Sequence, residues 1–303
     1  PVMDRLAAGG TRMERAYASH PICMPSRASM LTGRYPSSHG VWSNGVPLSA
    51  SEITLPAVLS RAGYTTYLCG KAHFRPWLRG FTKPQASQVE HPHGGPYYGF
   101  ETADVVDHSD GDCYSRWVRA SYPDWAERTI HHWTDRPADK PLAWKATYPA
   151  EASKTDFIAG RIVTAIETHR GDRPFFFWAS FIDPHPPFAP PAPFCDGHDD
   201  VIFPEPASVG EMPADKPSHY LPQARPEVAR AQWLNLRRMY QGKVSHVDDR
   251  IGRILAALEE RRLAANTIVV LLSDHGVLLG EYGIPSGGAR LCDPCSRVPM
   301  IWC

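Results

Sequence analysis

Residues 158–182, IAGRIVTAIETHRGDRPFFFWASFI, join a helix pattern to a strand pattern through a short turn. In residues 158–169, apolar side chains recur at the three- and four-residue spacing of one helix face, at Ile158, Ile162, Ala165 and Ile166. The run Gly171-Asp172-Arg173-Pro174 ends this helix. Residues 175–182 are almost continuously apolar, which predicts a strand that is buried on both faces.

The same order of helix and strand occurs twice more in the chain. Residues 55–62 predict a helix and residues 64–69 predict the strand that follows it. Residues 233–263 predict the longest helix, and residues 267–272 predict a second buried strand. This alternation indicates an α/β fold with a mostly parallel central sheet and helices on both faces.

The composition is that of a globular protein, with 43% hydrophobic and 21% charged residues in a chain of 303. Basic and acidic residues both number 32, so the net charge is zero and we expect no nucleic-acid partner. No apolar run approaches the roughly 18–20 residues of a membrane-spanning helix, so we expect no membrane partner. Residues 77–112 and 184–226 are rich in proline and predict two long loops over the sheet.

Polar or titratable residues directly follow each of the three predicted strands. Lys71 and His73 follow the first strand, and His185 follows the second. Asp274 and His275 follow the third. Open α/β sheets bind their ligands at the carboxyl ends of the strands. Polar or titratable residues at the ends of three strands therefore predict an active site along this edge of the sheet.

A candidate nucleophile lies near the start of the chain, in the segment Pro21–Gly33, PICMPSRASMLTG. Pro25 suits the first position of a short helix, which would run to Leu31. Cys23 then lies at the N-terminus of this helix, where free N–H groups and the helix dipole favour anions. Arg27, one turn into the helix, adds a planar cation suited to an oxyanion. The segment predicts a nucleophile in an anion-binding pocket.

The residues Cys23-Met24-Pro25-Ser26-Arg27 and Leu31-Thr32-Gly33 resemble the signature of the type I sulfatases, which belong to the alkaline-phosphatase-like superfamily. Three further segments resemble motifs of this family in the same order: residues 63–73, residues 272–276 and Arg297-Val298-Pro299. In appearance the chain is similar to bacterial arylsulfatases and to their phosphonate monoester hydrolase relatives. The resemblance covers essentially the whole chain and implies a single sulfatase catalytic domain over residues 1–303.

The resemblance implies a chemistry as well as a fold. It implies that a formylglycine-generating enzyme oxidises Cys23 to formylglycine, whose hydrated form attacks the sulfur of a sulfate ester. The substrate would be a small-molecule or glycan sulfate ester. A divalent cation would lie at Cys23, Asp274 and His275. Carboxylate ligands favour Ca²⁺ first and then Mg²⁺, and an imidazole ligand adds Mn²⁺ as an alternative.

The family motifs also imply roles for individual residues. By this resemblance Arg27 orients the formylglycine and Lys71 binds a sulfate oxygen. His73 assists the breakdown of the covalent intermediate. His185 lies at the sulfate or the leaving oxygen, as a hydrogen-bond donor or a general acid. Asn44 is a further candidate for a substrate contact.

The sequence departs from the family pattern in two places. Family members begin with a strand that ends in Asp-Asp and supplies two metal ligands, whereas this sequence begins near a helix predicted over residues 2–8. We therefore expect a domain that is truncated at both ends. A family lysine also falls, by spacing, on Gly287, and Arg290 is a candidate substitute for it.

Two alternatives stay open beside sulfate ester hydrolysis, and the two departures favour the second of them. One is a phosphodiesterase or phosphonate monoester hydrolase on the same scaffold, because sulfate and phosphate esters share tetrahedral oxyanion geometry. The other is a catalytically impaired sulfatase-like protein that binds sulfated ligands without turnover.

Overall fold

The computed structural model describes residues 1–76, 93–107, 110–131, 143–198, 201–203, 230–287 and 290–303. Its α-helices in these ranges are α1 (Val2–Gly9), α2 (Cys23–Thr32), α3 (Pro36–His39), α4 (Leu55–Arg61), α5 (Cys113–Ser121), α6 (Ala126–Ile130), α7 (Lys154–Thr168), α8 (Arg230–Glu260) and α9 (Asp293–Ser296). Its strands there are β1 (Thr11–Arg12), β2 (Ala16–Tyr17), β3 (Thr65–Gly70), β4 (His93–Tyr97), β5 (Phe100–Val105), β6 (Phe175–Ser180), β7 (Val270–Leu272), β8 (Arg297–Val298) and β9 (Met300–Trp302).

The largest sheet has the strand order β4-β5-β3-β6. Its central strand, β3, runs parallel to β5 and to β6, with Leu68 opposite both Ala103 and Trp178. The edge strand β4 is antiparallel to β5. Three parallel strands confirm the predicted α/β class. The prediction that β6 is buried on both faces is wrong, because residues 175–179 are only half-buried at the edge of the described sheet.

Helices cover both faces of this sheet. Tyr67 and Cys69 of β3 point into one apolar cluster, which contains Ile158 and Ile162 of α7. Leu68, between them, belongs to a second cluster that contains residues of α2. Because side chains alternate along a strand, the helix that carries Cys23 and the predicted helix α7 lie on opposite faces. The predicted helices on both sides of the sheet are therefore confirmed.

The prediction of an uninterrupted loop over residues 77–112 is wrong, because β4 and β5 lie within it. Strand β4 contains Gly94, Gly95 and Pro96, and its pairing with β5 shifts register twice. Glycine and proline are tolerated in irregular edge strands, and their presence hid the strand pattern. Residues 77–92, which formed part of the predicted loop, lie outside the described residues, as does most of the loop predicted over 184–226.

The prediction of a strand over residues 267–272 is confirmed in part, but the predicted burial of this strand is wrong. Only residues 270–272 form a strand, and Ile268 is 74% exposed and Leu272 39% exposed. Strand β7 belongs to a separate antiparallel sheet of order β1-β9-β7. Among the described strands it pairs with β9 alone, so it lies at a sheet edge and its apolar side chains have few neighbours.

The long helix α8 contacts and stabilises the N-terminal helix α1. The Asp248 carboxylate of α8 accepts hydrogen bonds from the backbone N–H groups of Val2 and Met3, at 2.8 and 2.7 Å. A carboxylate at this position satisfies free N–H groups and complements the helix dipole. In the part of the chain that the structure describes, no helix combines the length and the apolar character that crossing a bilayer would require.

Candidate active site

Cys23 lies at the N-terminus of helix α2, as the sequence predicts, and is the first residue of that helix. The preceding Ile22 is extended, and the Asn44 side-chain oxygen accepts a hydrogen bond from the Met24 N–H at 3.0 Å. Pro25 is the third helical residue rather than the predicted first, a position that also needs no intrahelical N–H. Gly33 ends the helix with φ of 66°, a left-handed conformation that favours glycine.

Two cationic groups flank the Cys23 thiol. His275 Nε2 lies 3.0 Å from Cys23 Sγ, and Lys71 Nζ lies 3.3 Å from it. Burial by itself raises the pKa of Cys23, but Lys71, His275 and His73 outweigh burial and hold this pKa well below its ordinary value. The pocket therefore favours a negative charge on the side chain of residue 23.

Arg27 connects helix α2, which carries Cys23, to the ends of strands β3, β6 and β7 through hydrogen bonds. Its Nε donates to Asp274 Oδ2 at 2.7 Å, and its Nη1 donates to the Lys71 carbonyl at 2.7 Å. The same Nη1 donates to Ser180 Oγ at 2.9 Å. Burial raises the pKa of Asp274, but Arg27, with His275 and Lys71, holds it well below its ordinary value. This buried network fixes residues from four separate segments.

Two glycines let these segments approach closely. Gly70 has φ of 110°, and a Cβ atom there would lie 2.0 Å from the Ser180 carbonyl oxygen. A Cβ atom at Gly276 would lie 2.0 Å from the Pro294 carbonyl oxygen. Glycine is therefore required beside both Lys71 and His275.

Cys23, Asp274 and His275 place three potential metal-ligand atoms within 4.8 Å of one another. The His275 Nδ1 bonds the Gly276 carbonyl at 2.9 Å, which leaves Nε2 facing Cys23. An imidazole held in this way by a backbone carbonyl is typical of metal-binding histidines. Burial opposes protonation of His275, but Cys23 and Asp274 raise its pKa to about 9. The three residues fit a divalent cation that displaces this proton.

Two further histidines surround the pocket. His73 is half-buried, interacts with the Cys23 thiol, and has a pKa lowered by burial. The His185 Nδ1 donates to the Pro186 carbonyl at 2.7 Å, and burial together with Lys71 lowers the pKa of His185 to about 4. Both rings are therefore neutral at pH 7, and His185 Nε2 carries no proton until an anion in the pocket favours the imidazolium.

The structure gives Asn44 a structural contact, since its side chain caps α2, and a contact with substrate stays a prediction. Two serines in the network were not predicted. Ser180 Oγ donates to the Lys71 carbonyl at 2.6 Å, and Ser26 Oγ donates to the Asp274 carbonyl at 2.6 Å. Ser180 ends strand β6, so the rule that pointed to the other strand-end residues also applied to it.

The position that the resemblance assigns to a lysine is tightly packed. A Cβ atom at Gly287 would lie 2.9 Å from both the Gly276 carbonyl oxygen and Val277 Cα. A lysine therefore fits there only if the backbone shifts. Arg290, the candidate substitute, is buried, with 2% of its surface exposed.

A second group of metal-ligand side chains lies away from this pocket, at His93, Asp104 and Cys113. Tyr67 and Arg161 both donate to Asp104 Oδ2, at 2.6 and 2.9 Å, so its charge is already compensated. Burial and Asp104 raise the pKa of Cys113 to about 12, which keeps it a thiol. We interpret this group as structural support for β5.

The sequence profile of the sulfatase family matches residues 1–302. The chain belongs to the sulfatase family. It is 29% identical to an arylsulfatase of Clostridium perfringens and 28% identical to the uncharacterized sulfatase YidJ of Escherichia coli. Each alignment covers 99% of this chain but only 62% and 56% of the relative, so this sulfatase chain spans little more than half the length of these relatives.

The phosphonate monoester hydrolase of Agrobacterium radiobacter has a similar structure, with a TM-score of 0.75 and 23% identity. The match covers all of this chain and 62% of the other. It confirms that the sulfatase chain has the predicted alkaline-phosphatase-like fold, with a mixed sheet between helices.

Proposed function

We propose that this protein hydrolyses sulfate esters at Cys23, used in its formylglycine form together with a divalent cation. The position of the Cys23 side chain carries the proposal. Its Sγ lies at the N-terminus of α2, 3.0 Å from His275 Nε2 and 3.3 Å from Lys71 Nζ. Preorganised donors of this kind stabilise charge that develops on an attached oxyanion.

Asp274, His275 and residue 23 would hold the cation, with Ca²⁺ or Mg²⁺ favoured by the carboxylate and Mn²⁺ by the imidazole. When present, the cation supplies Lewis-acid stabilisation of a sulfate oxygen, and formylglycine supplies the nucleophilic oxygen. Arg27 orients Asp274, because Arg27 Nε and Asp274 Oδ2 form a largely buried ion pair at 2.7 Å.

The remaining side chains bind the ester and move protons. Lys71 Nζ donates to a sulfate oxygen. His185 Nε2 gives a proton to the departing oxygen, after the negative charge of the bound ester has raised the pKa of this histidine. His73 is neutral and lies against Cys23, so it is placed to accept a proton from residue 23 during sulfate release. The substrate would be a small-molecule or glycan sulfate ester, such as an aryl sulfate, choline sulfate or a sulfated sugar.

The packing at Gly287 favours one alternative, a protein that binds sulfated ligands without turnover. The side chain that the family uses there has no room without a backbone shift. Phosphonate or phosphodiester hydrolysis is the other alternative, because the same donors accept any tetrahedral oxyanion.

The first experiment tests the nucleophile. The complete gene product is expressed with a formylglycine-generating enzyme, and the proteolytic peptide that carries Cys23 is weighed by mass spectrometry. We expect the mass loss of conversion to an aldehyde, together with capture by a hydrazide reagent. The peptide that carries Cys295, a buried thiol elsewhere, must stay unmodified. An intact Cys23 thiol beside a converted control sulfatase would contradict the formylglycine proposal.

Hydrolysis is then measured on the converted protein with para-nitrophenyl sulfate, and the Cys23→Ala variant serves as the control. We expect turnover by the converted protein and none by the variant. Tight binding of a sulfated ligand without release of sulfate would instead support the binding-protein alternative.

A further inference from the structure

The segment that carries His185 cannot satisfy its own backbone. Residues 183–187 read Asp-Pro-His-Pro-Pro, and the three prolines have no backbone N–H. Buried carbonyl groups need hydrogen-bond donors, and a segment with so few N–H groups must take them from elsewhere. The position of His185 therefore depends on a donor outside the segment.

Lys243 of helix α8 supplies such donors to two carbonyls, one of which, that of Pro187, also accepts from the Ala189 backbone N–H at 3.0 Å. Its Nζ donates to the His185 carbonyl at 2.6 Å and to the Pro187 carbonyl at 2.9 Å. It also forms an ion pair with Asp183 Oδ1 at 2.6 Å. An ammonium group has three N–H donors, and all three acceptors belong to this one segment.

These contacts reach the imidazole ring through the backbone. The Pro186 carbonyl, which accepts the His185 Nδ1–H at 2.7 Å, lies between the two carbonyls that Lys243 holds. Fixing the flanking peptide groups fixes this carbonyl as well. The orientation of the ring, and hence the direction in which Nε2 points, follows from the position of the Lys243 ammonium.

We propose that Lys243 is a positioning residue for proton transfer by His185 to the leaving-group oxygen. The proposal rests on the proposed function. In the transfer step the bond between sulfur and the leaving oxygen breaks and its electron pair stays on that oxygen. The oxygen then takes the proton from His185 Nε2, which leaves the imidazole neutral.

The burial of the ion pair supports a specific role. The Lys243 side chain is 7% exposed and that of Asp183 is 18% exposed. Lys243 holds the pKa of Asp183 below its ordinary value in spite of burial, and Thr155 Oγ1 donates to the other carboxylate oxygen at 2.7 Å. Burying two charges is costly and an apolar pair of the same size would fill the space, so stability alone does not require this arrangement.

The test compares a good and a poor leaving group. Turnover of para-nitrophenyl sulfate and of phenyl sulfate is measured for Lys243→Met, His185→Ala and the double variant. General acid catalysis increases the rate by about 10²–10⁴-fold, and the increase is largest for the poor leaving group. We expect both single variants to slow phenyl sulfate by about 10²-fold or more and para-nitrophenyl sulfate by less than about tenfold. The double variant should be no slower than His185→Ala.

Two further variants keep the test decisive. Asp183→Asn combined with Lys243→Met removes the unpaired carboxylate, and it replaces the single variant if that one does not fold. Lys145→Met is the matched control, because Lys145 forms an exposed ion pair with Asp196. The ratio of turnover of para-nitrophenyl sulfate to turnover of phenyl sulfate should be the same in this variant as in the wild type.

Different outcomes would overturn the role of Lys243 and the role of His185. Equal slowing of both substrates by Lys243→Met, or additive losses in the double variant, would overturn the positioning role. If His185→Ala itself leaves the ratio of rates unchanged, then the role proposed for His185 is wrong.

Discussion

Replacing Arg27 by methionine should destabilise the metal-free protein strongly. Arg27 is 6% exposed and forms an ion pair with the Asp274 carboxylate, which is 15% exposed, with 2.7 Å between Nε and Oδ2. It also bonds the Lys71 carbonyl and Ser180 Oγ. Methionine keeps much of the volume and removes every donor, so the variant isolates the polar network from the packing.

The expected magnitude follows from these contacts. Removing one partner of a buried ion pair costs about 3–5 kcal/mol, because the other charge is left uncompensated. Arg27→Lys keeps the charge but loses the planar fork that reaches Lys71 and Ser180. We expect that variant to lose about 1–3 kcal/mol. Arg119→Met, which breaks an exposed pair with Asp110, should lose less than about 1 kcal/mol.

The assay is urea unfolding in the presence of a chelator, at several pH values. The pKa of Asp274 is depressed in the folded wild type, so its stabilisation is present above the ordinary pKa of about 3.9 and is lost as the pH falls below it. Arg27→Met removes the largest of the groups that lower this pKa, while His275 and Lys71 remain, so the pKa of Asp274 should be higher in the variant than in the wild type. The difference in stability between the two proteins should therefore become smaller towards acidic pH. A loss below about 1 kcal/mol at pH 7 would refute the reasoning.

Three further predictions concern charge. In the unconverted, metal-free protein the pKa of the Cys23 thiol, followed by thiolate absorbance in the ultraviolet, should lie below its ordinary value, and Lys71→Met should raise it. An ordinary pKa for Cys23, or no change in Lys71→Met, would contradict this. For the unconverted protein, the affinity for Mn²⁺ measured by calorimetry should rise about tenfold per pH unit from 7 to 9, because the cation displaces a proton from His275, whose pKa Cys23 and Asp274 raise to about 9. An affinity that does not change with pH would count against this. Arg161→Met should cost about 1–3 kcal/mol in urea unfolding, because it removes donors to the fully buried Asp104, while Tyr67 still donates to that carboxylate and Arg161 is itself 43% exposed. An unchanged free energy of unfolding would contradict this role.

Local sequence patterns predicted the helices and strands whose apolar side chains recur at a regular spacing. Helix α7 and strand β6 appear within a few residues of their predicted bounds, because a regular apolar face and an uninterrupted apolar run are properties of the segment itself. Strand β4 was missed for the opposite reason. Its glycines and proline indicate a turn, and only pairing with β5 makes it a strand.

The residues of the candidate site also fall into those that a local pattern predicted and those that it did not. Cys23, Lys71 and Asp274 were found because they lie within contiguous motifs or directly after strands. The contacts of Ser180 and Lys243 join residues far apart in the chain, and no local pattern contains them. The exposure of β7 also depends on what packs around it, whereas hydrophobicity alone predicted that it would be buried.

The relative rates of hydrolysis of a sulfate ester and of a phosphate diester test the assignment as a sulfate ester hydrolase most directly. Values of kcat/KM for para-nitrophenyl sulfate and for bis(para-nitrophenyl) phosphate are measured on the converted complete gene product with a divalent cation added. We predict that the sulfate is the better substrate and that Lys71→Met lowers its kcat/KM by about 10²–10³-fold. A far faster reaction of the phosphate diester would contradict the assignment as a sulfate ester hydrolase.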